Sequence, residues 1–281
     1  LVIGNCELEN EVGLNQQQIQ KVLNKELNNT CIPFSLHIFN SVSSTNQTLW
    51  ELQTQGAKAG TVVIATQQTA GRGQWGRQWV SCDGGLYLSL LISPQLEAVF
   101  SYQLTLASAW GIANELRLRG VPIEIKWPND LVINGRKLGG ILTETKVQKG
   151  LINQAVIGVG INWSNYVPET GINLQAWQID NHTEYFDTLE DLTAAVLLGI
   201  DSGMKCLFQE GTNILLSRYL GLLSNMGEQV EINHGLGTIV GVTPSGELRV
   251  SMEPSSTNVT KGLEIFLKPG RISLGYRKSP E

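Results

Sequence analysis

The sequence predicts an α+β fold, and three patterns carry that expectation. Strand-like runs at residues 137–146 and 151–161 are set off by the turn pairs Asn134-Gly135 and Lys149-Gly150, which close antiparallel hairpins and so predict a meander. Long stretches with helical apolar spacing, at 97–119 and 188–208, lie before and after these strands. Beyond residue 225 the pattern changes to short alternating runs punctuated by Gly, Pro and Ser, which predicts a small β-barrel domain.

Taken in order, residues 15–28 carry Ile19, Val22, Leu23 and Leu27 at helical spacing within an Asn/Gln-rich arm. A short strand is expected at 36–39, and Ser43-Ser-Thr-Asn-Gln-Thr-Leu-Trp50 reads as a polar turn entering a helix. The apolar run Thr61-Val-Val-Ile-Ala-Thr66 precedes a glycine-rich loop, and a strand follows at 86–92. After the helix at 97–119 come the strand at 124–127, the two meander strands, the helix at 188–208 and another at 213–222. The tail carries strand candidates at 229–233, 237–242, 247–250 and 263–267. The expected organisation is an N-terminal helical arm (1–35), a main domain (36–224) and a C-terminal β domain (225–281).

With 281 residues the chain is long enough to bury a large core, and its net charge of −5 provides no general attraction to nucleic acid. No apolar run approaches the roughly 18–20 residues of a membrane span, and the first residues lack the basic and apolar regions of a secretory signal. Cys6, Cys31, Cys82 and Cys206 are scattered without a C-x-x-C pair, which fits free thiols in a reducing cytoplasm better than a zinc site or disulfides. His37, His182 and His234 are dispersed and receive no role.

The chemistry concentrates in two clusters. In Thr69-Ala-Gly-Arg-Gly-Gln-Trp-Gly-Arg-Gln-Trp79, backbone amides freed by glycine join Arg72 and Arg77 as an anion grip, while Trp75 and Trp79 can cover a ligand. Gly71-x-Gly73-x-x-Gly76 also fits the dinucleotide fingerprint, but that version needs the glycines to open a helix and an acidic residue about 20 positions later at a strand end. The second cluster is Lys126-Trp-Pro-Asn-Asp130 with Gly135-Arg-Lys-Leu-Gly-Gly-Ile-Leu142. Pro128 forces an extended turn after Lys126, and the Gly139-Gly140 pair lets a ligand approach the backbone. Two lysines and two arginines around one anion point to phosphate chemistry by charge neutralisation, with Asp130 as a proton acceptor or metal ligand. Each feature has a plainer reading: a solvated surface charge for either lysine, a helix cap for Ser44 to Asn46, a core aromatic for Trp79 or Trp127.

The ordered set Ser44-Thr-Asn-Gln47, Gln67-Gln-Thr-Ala-Gly-Arg-Gly73, Lys126-Trp-Pro-Asn-Asp130, Arg136-Lys-Leu-Gly-Gly-Ile-Leu142 and Gly158-Val-Gly-Ile-Asn162 resembles biotin protein ligase. The resemblance is strong over residues 43–163 and looser elsewhere. It implies a mixed, mostly antiparallel sheet with flanking helices, related to class II aminoacyl-tRNA synthetases, and an SH3-like C-terminal domain. It also implies formation of biotinyl-5′-adenylate from biotin and ATP with Mg2+. The biotinyl group then passes to one lysine of a biotin carboxyl carrier protein, usually of acetyl-CoA carboxylase, with the ligase a monomer or homodimer in the cytoplasm.

By position, Ser44, Thr45, Asn46 and Gln68 resemble the family's biotin-head contacts, and Gly71, Arg72, Gly73 and Gln74 its loop over biotin. Gly140, Leu142 and Gly158 correspond to walls, and Lys137 to a residue that grips the carboxylate and phosphate. On the nucleotide side stand Arg72, Arg77, Trp79, Lys126, Asn129, Lys137 and Asn162, and the catalytic set is Arg72, Lys126, Asp130 and Lys137. Family loops often read Gly-Arg-Gly-Arg, whereas this chain has Gln74 at the second arginine's position. The first motif arrives by Ser44, so no DNA-binding winged helix and no repressor function are expected. Two rival readings remain: a lipoate ligase or lipoyl/octanoyl transferase, and a catalytically silent biotin- or nucleotide-binding module.

Overall fold

The computed structural model describes residues 14–25, 30–232, 235–253 and 263–276. Helix α1 (Gln16–Lys25) buries Ile19 and Leu23, and the end of the arm helix expected at 26–28 lies outside the described residues. Seven strands form the path of the main sheet: β1 (Ser35–Val42), β2 (Thr61–Gln68), β3 (Gly85–Ile92), β5 (Glu124–Lys126), β6 (Asp130–Ile133), β7 (Arg136–Gln148) and β8 (Leu151–Asn162). Their order is β1-β2-β3-β8-β7-β6-β5, with the two-residue β4 (Leu96–Glu97) joining β8 off that path. Only β1 and β2 run parallel; the other pairs are antiparallel, giving the mixed, mostly antiparallel sheet that was expected.

Local chemistry accounts for the hairpins. Asn134 and Gly135 both take positive φ, 52° and 76°, as do Lys149 and Gly150 at 53° and 81°, so each pair supplies the left-handed turn that matches strand twist. Strand β6 was not anticipated. It is four residues long, enclosed between Pro128 and the Asn134-Gly135 turn, and too short to show a period.

Helices α3 (Tyr102–Leu118) and α5 (Leu189–Lys205) cover one face of the sheet, where Leu104, Ile112, Leu192 and Ile200 join Val62, Leu88 and Ile157 in the large core. Gly111, Gly199 and Gly203 let these helices touch closely, since a Cβ on Gly199 would lie 2.7 Å from the Ile112 Cα. The expected helix at 97–119 instead begins at Tyr102, because residues 96–97 pair with β8 and a 3-10 turn intervenes. The helix expected at 188–208 ends as a regular α-helix at Lys205 and widens into a π-turn, Cys206–Glu210. Two further helices, α4 (Leu174–Asp180) and α6 (Thr212–Leu220), follow β8 and α5 respectively.

Helix α2 (Thr45–Thr54) lies on the opposite face, where Leu49 packs with Val63, Leu91 and Val156. Alternation along β3 and β8 thus divides the sheet into a thick core side and a thinner side that carries α2. The tail forms a four-stranded antiparallel sheet in the order β12 (Glu264–Leu267), β11 (Leu248–Met252), β10 (Gly235–Val242), β9 (Gln229–Ile232). It docks on the main body through the buried Trp127 indole, which donates to the Gly246 carbonyl at 3.0 Å.

Candidate active site

A cavity of about 180 Å³ opens on the α2 side of the main sheet. Its floor is built by glycines at alternate positions of two paired strands. Gly140 faces Gly160 across the β7–β8 ladder and Leu142 faces Gly158, so one side of the sheet is hollowed where side chains would otherwise stand. The vacated space is used by neighbours. A Cβ on Gly158 would collide with Asn46 Oδ1, one on Gly160 would lie 2.7 Å from the Trp79 ring, and one on Gly140 would lie 3.1 Å from Asp130 Oδ1.

One end of the cavity is polar and uncharged. Ser44, Thr45 and Asn46 open α2, all buried, and Ser44 stands at the N-cap position with extended backbone. Its side chain makes no capping hydrogen bond among the described residues, so the helix-cap reading does not account for it. Gln68 Oε1 accepts from the Thr45 backbone N at 2.9 Å and hydroxyl at 3.2 Å, while Gln68 Nε2 donates to Ser81 Oγ at 2.8 Å. The Ser89 hydroxyl, fully buried on β3, donates to Asn46 Oδ1 at 2.6 Å and lies 2.8 Å from Thr45 Oγ1. These bonds fix the orientation of the polar groups.

The glycine-rich loop forms the lid side. Gly73 N donates to the Arg77 carbonyl at 2.7 Å and Trp79 N to the Gly71 carbonyl at 2.9 Å, so residues 71–79 make a tight hairpin of their own. Trp75 and Gly76 turn it with φ of 61° and 73°. The loop contains a 3-10 turn, Gln74–Gly76, and opens no α-helix, which removes the dinucleotide-fingerprint reading. Trp75 is 59% exposed and its ring packs against Gly270 of the tail.

The other end is charged. Arg72, Arg77, Lys126 and Lys137 all line the cavity, with Asp130 among them. Lys137 Nζ lies 2.7 Å from Asp130 Oδ1 and 5.1 Å from the centre of the Trp79 ring. Lys126 is only 6% exposed, and burial, opposed by Asp130 and reinforced by Lys137 and Arg77, pushes its ammonium down to about 8. Trp79 Nε1 is buried without a hydrogen-bond partner among the described residues.

All expected site residues line this cavity except Gly71 and Asn162. Gly71 stands at the base of the loop, packed so closely that a Cβ there would collide with the Trp79 carbonyl and Ser81 Oγ. Asn162, expected at adenine, is buried, with Nδ2 shared between the Lys137 and Ile172 carbonyls at 3.3 Å each and Oδ1 accepting from Asn165. Asn129 lines the cavity but spends Nδ2 on the Ile141 carbonyl at 2.7 Å.

Three features escaped the sequence reading. Ser89 is one polar residue inside an apolar strand, a signal that was present. Glu144 accepts from Asn46, Trp50 and Arg72. The tail segment 270–276 closes the charged end: the Tyr276 ring lies 3.2 Å from Lys126 Nζ at its centroid, and its hydroxyl donates to Asp130 Oδ2. Burial and then the Asp130 carboxylate raise the Tyr276 hydroxyl well above its ordinary range, so it stays protonated as a donor.

Residues 38–162 match the biotin/lipoate A/B protein ligase family. A bifunctional ligase/repressor BirA of Bacillus spizizenii is 42% identical over 123 residues, 43% of this chain and 38% of that protein. A biotin acetyl-CoA-carboxylase ligase of Paracoccus denitrificans is 26% identical over 221 residues, 73% of this chain and 89% of that protein. Among solved structures, the biotin protein ligase from Aquifex aeolicus in complex with biotin and ATP superposes with a TM-score of 0.66 at 25% identity, covering 87% of this chain and 99% of that one. Over its motif-bearing residues 38–162 the chain is thus similar to the biotin/lipoate A/B protein ligase family. It spans 38–65% of the length of the four bifunctional ligase/repressor relatives.

Proposed function

We propose that this protein is a biotin protein ligase: it joins biotin and ATP as biotinyl-5′-adenylate and transfers the biotinyl group to a lysine of a carboxyl carrier protein of acetyl-CoA carboxylase. The observation that carries the reading is the junction of a pre-ordered neutral polar pocket with four converging cations across a glycine-hollowed floor. Such a site holds two anions against their own repulsion, which is the main obstacle to joining a carboxylate to a phosphate. The A. aeolicus protein that this chain resembles was solved with both biotin and ATP, and the P. denitrificans relative's name supplies the carrier.

In the first half-reaction a biotin carboxylate oxygen attacks the α-phosphorus, a new O–P bond forms, and the bond to the pyrophosphate oxygen breaks with the electron pair leaving on pyrophosphate. Ser44, Thr45, Asn46 and Gln68 hold the ureido head, and Gly140, Leu142 and Gly158 form the walls. Arg72 and Lys137 neutralise the reacting carboxylate and phosphate, with Lys126, Arg77 and the Trp79 indole on the nucleotide. In the second half-reaction the carrier lysine attacks the biotinyl carbonyl, AMP leaves, and the amine loses a proton from a group whose ordinary pKa is about 10.4. Asp130, at the charged end of the cavity, is the residue to orient or receive that proton.

The residues do not fit a magnesium ion held by the protein. Asp130, the carboxylate that lines the cavity, already engages Lys137 through Oδ1 and Tyr276 through Oδ2. Magnesium belongs to this reading only as part of the ATP substrate, carried by its phosphates. Cys31, Cys82 and Cys206 are free thiols, which supports a cytoplasmic setting.

Pyrophosphate release tests the reading: it is expected to require biotin and ATP together and to be unaffected by lipoate. Release with lipoate in place of biotin would move the protein to the lipoate branch, and none with either would leave a binding module.

Two further outcomes follow from the loop and from Lys126. Gln74 lines the cavity but cannot pair with an anion as arginine does, so Gln74→Arg is expected to slow dissociation of the adenylate. An unchanged off-rate would count against this. Because Lys126 titrates near 8 in the folded protein, nucleotide binding is expected to weaken as pH rises through that value, while Lys126→Arg, charged throughout, stays flat. The linkage to stability has the opposite sign. Between about 8 and the ordinary lysine value the unfolded chain holds the extra proton, so Lys126 makes the fold relatively more stable as pH rises across that window. A nucleotide KM that does not change between pH 7 and 9 would contradict the assignment.

A further inference from the structure

Glu144 stands on β7 two residues beyond Leu142, on the sheet face that carries the cavity floor. One of its carboxylate oxygens, Oε2, accepts from three side chains: Arg72 at 3.0 Å, Asn46 Nδ2 at 3.0 Å and Trp50 Nε1 at 3.1 Å. These donors come from the two halves of the site. Arg72 belongs to the glycine-rich loop at the cationic end, whereas Asn46 and Trp50 belong to α2 at the neutral end.

We propose that Glu144 is a positioning residue that locks the anion-gripping arginine and the head-group asparagine to one another, so that seating of the ligand at one end is felt at the other. The proposal rests on the ligase reading for the identity of the ligand, but its geometry does not depend on it. A guanidinium has five donors and Glu144 engages one nitrogen, leaving the remaining edge for a substrate anion. The Arg72 side chain is 45% exposed, so without this anchor a long side chain on a surface loop would sample many rotamers and lose entropy on binding.

Asn46 gains orientation from the same oxygen. With Nδ2 directed to Glu144 and the Leu142 carbonyl at 3.3 Å, its carbonyl oxygen is turned to Ser89 and to the space left by Gly158. An amide free to flip would present donor and acceptor equally, and the ureido ring would meet the wrong one half the time. Charge explains why a carboxylate serves here. An ionised oxygen accepts several charge-assisted bonds at once, including one from a cation, whereas the neutral carbonyl of a glutamine accepts the same three more weakly.

The test is Glu144→Gln, alone and combined with Arg72→Lys, with thermal stability followed throughout. In the ligand-free protein, hydrogen exchange of residues 71–79 and of the first turn of α2 is expected to rise together in Glu144→Gln; unchanged exchange in either segment would overturn the proposal whatever the protein's substrate. With biotin and ATP, Glu144→Gln is expected to weaken biotin binding and slow biotin-dependent pyrophosphate release by about tenfold each, the scale of a lost charged hydrogen bond, out of proportion to any change in thermal stability. The double variant is expected to lose less than the product of the two single losses, because part of each loss runs through the one Arg72–Glu144 contact. Additive losses in the double variant, or losses that track thermal stability across the variants, would mean that Glu144 merely supports the fold. If the unaltered protein released no pyrophosphate, the ligase reading would fail while the exchange result still decided the role of Glu144.

Discussion

Replacing Lys137 with methionine is expected to lower the rate of adenylate formation by about two to three orders of magnitude, the usual cost of removing one pre-organised group that meets developing charge. The backbone around Lys137 is fixed on both sides: its N–H donates to the Thr170 carbonyl and its own carbonyl accepts from Ile172 N, each at 2.9 Å. The ammonium is thereby delivered to a place 2.7 Å from Asp130 and above the Trp79 ring, at the centre of the cationic cluster. Methionine keeps most of the stem's packing while deleting the charge. It also leaves the nearly buried Asp130 carboxylate without its counter-ion, so the variant is expected to lose stability as well. Lys137→Met combined with Asp130→Asn separates the two effects, because the pair restores neutrality without restoring a cation. Single-turnover formation of biotinyl-adenylate reads the chemistry directly. A fall of less than about tenfold would show that Lys137 is a structural ion-pair partner and not the group that neutralises the reacting anions.

The second large effect is expected from Gly158→Ala, the addition of one methyl group to the cavity floor. Its Cβ would collide with Asn46 Oδ1. Asn46 cannot withdraw cheaply, since it is bonded to Ser89, to the Leu142 carbonyl and to Glu144, and it is buried. Displacing it costs those bonds, each worth about 1 kcal/mol or more when a buried polar group loses its partner. Biotin affinity is therefore expected to fall by well over tenfold, while the strand pairing Ser89 to Gly158 and Leu142 to Gly158 keeps the sheet itself intact. Calorimetric titration with biotin, beside a thermal melt, measures both. Unaltered affinity would mean that the neutral end of the cavity is not where the head group sits.

How much of this was legible in the chain depended on whether the signal was local. The Asn134-Gly135 and Lys149-Gly150 turns require left-handed backbone, and the hairpins they announced are present with that backbone. In the sequence Gly140 stood for close approach to the backbone and Gly158 for a wall, yet the hollow they share with Gly160 appears only when the β7–β8 register sets Gly140 against Gly160. Two short elements left no period to detect: the four-residue β6 and the seven-residue α4. Asn162 sits at the end of β8, beside the site in sequence, but its amide is directed away into bonds with the Lys137 and Ile172 carbonyls.

Non-local contacts explain what stayed hidden. Glu144 lies 72 residues from Arg72 and 98 from Asn46, and Tyr276 lies 146 residues from Asp130. A lone glutamate on a strand or a tyrosine in a tail ordinarily faces solvent, and only the folded chain brings each to the site. The capping role that Ser44 would ordinarily have was likewise decided by geometry, because the residue takes the cap position without making the cap bond.

The most direct test of the central claim is the intact mass of an apo carboxyl carrier domain after incubation with this protein, biotin and ATP with magnesium, beside a reaction without ATP. A single biotinyl addition that requires ATP is the result expected. No addition to the carrier, while biotin still binds by calorimetry, would contradict the ligase reading and leave a biotin-binding module in its place.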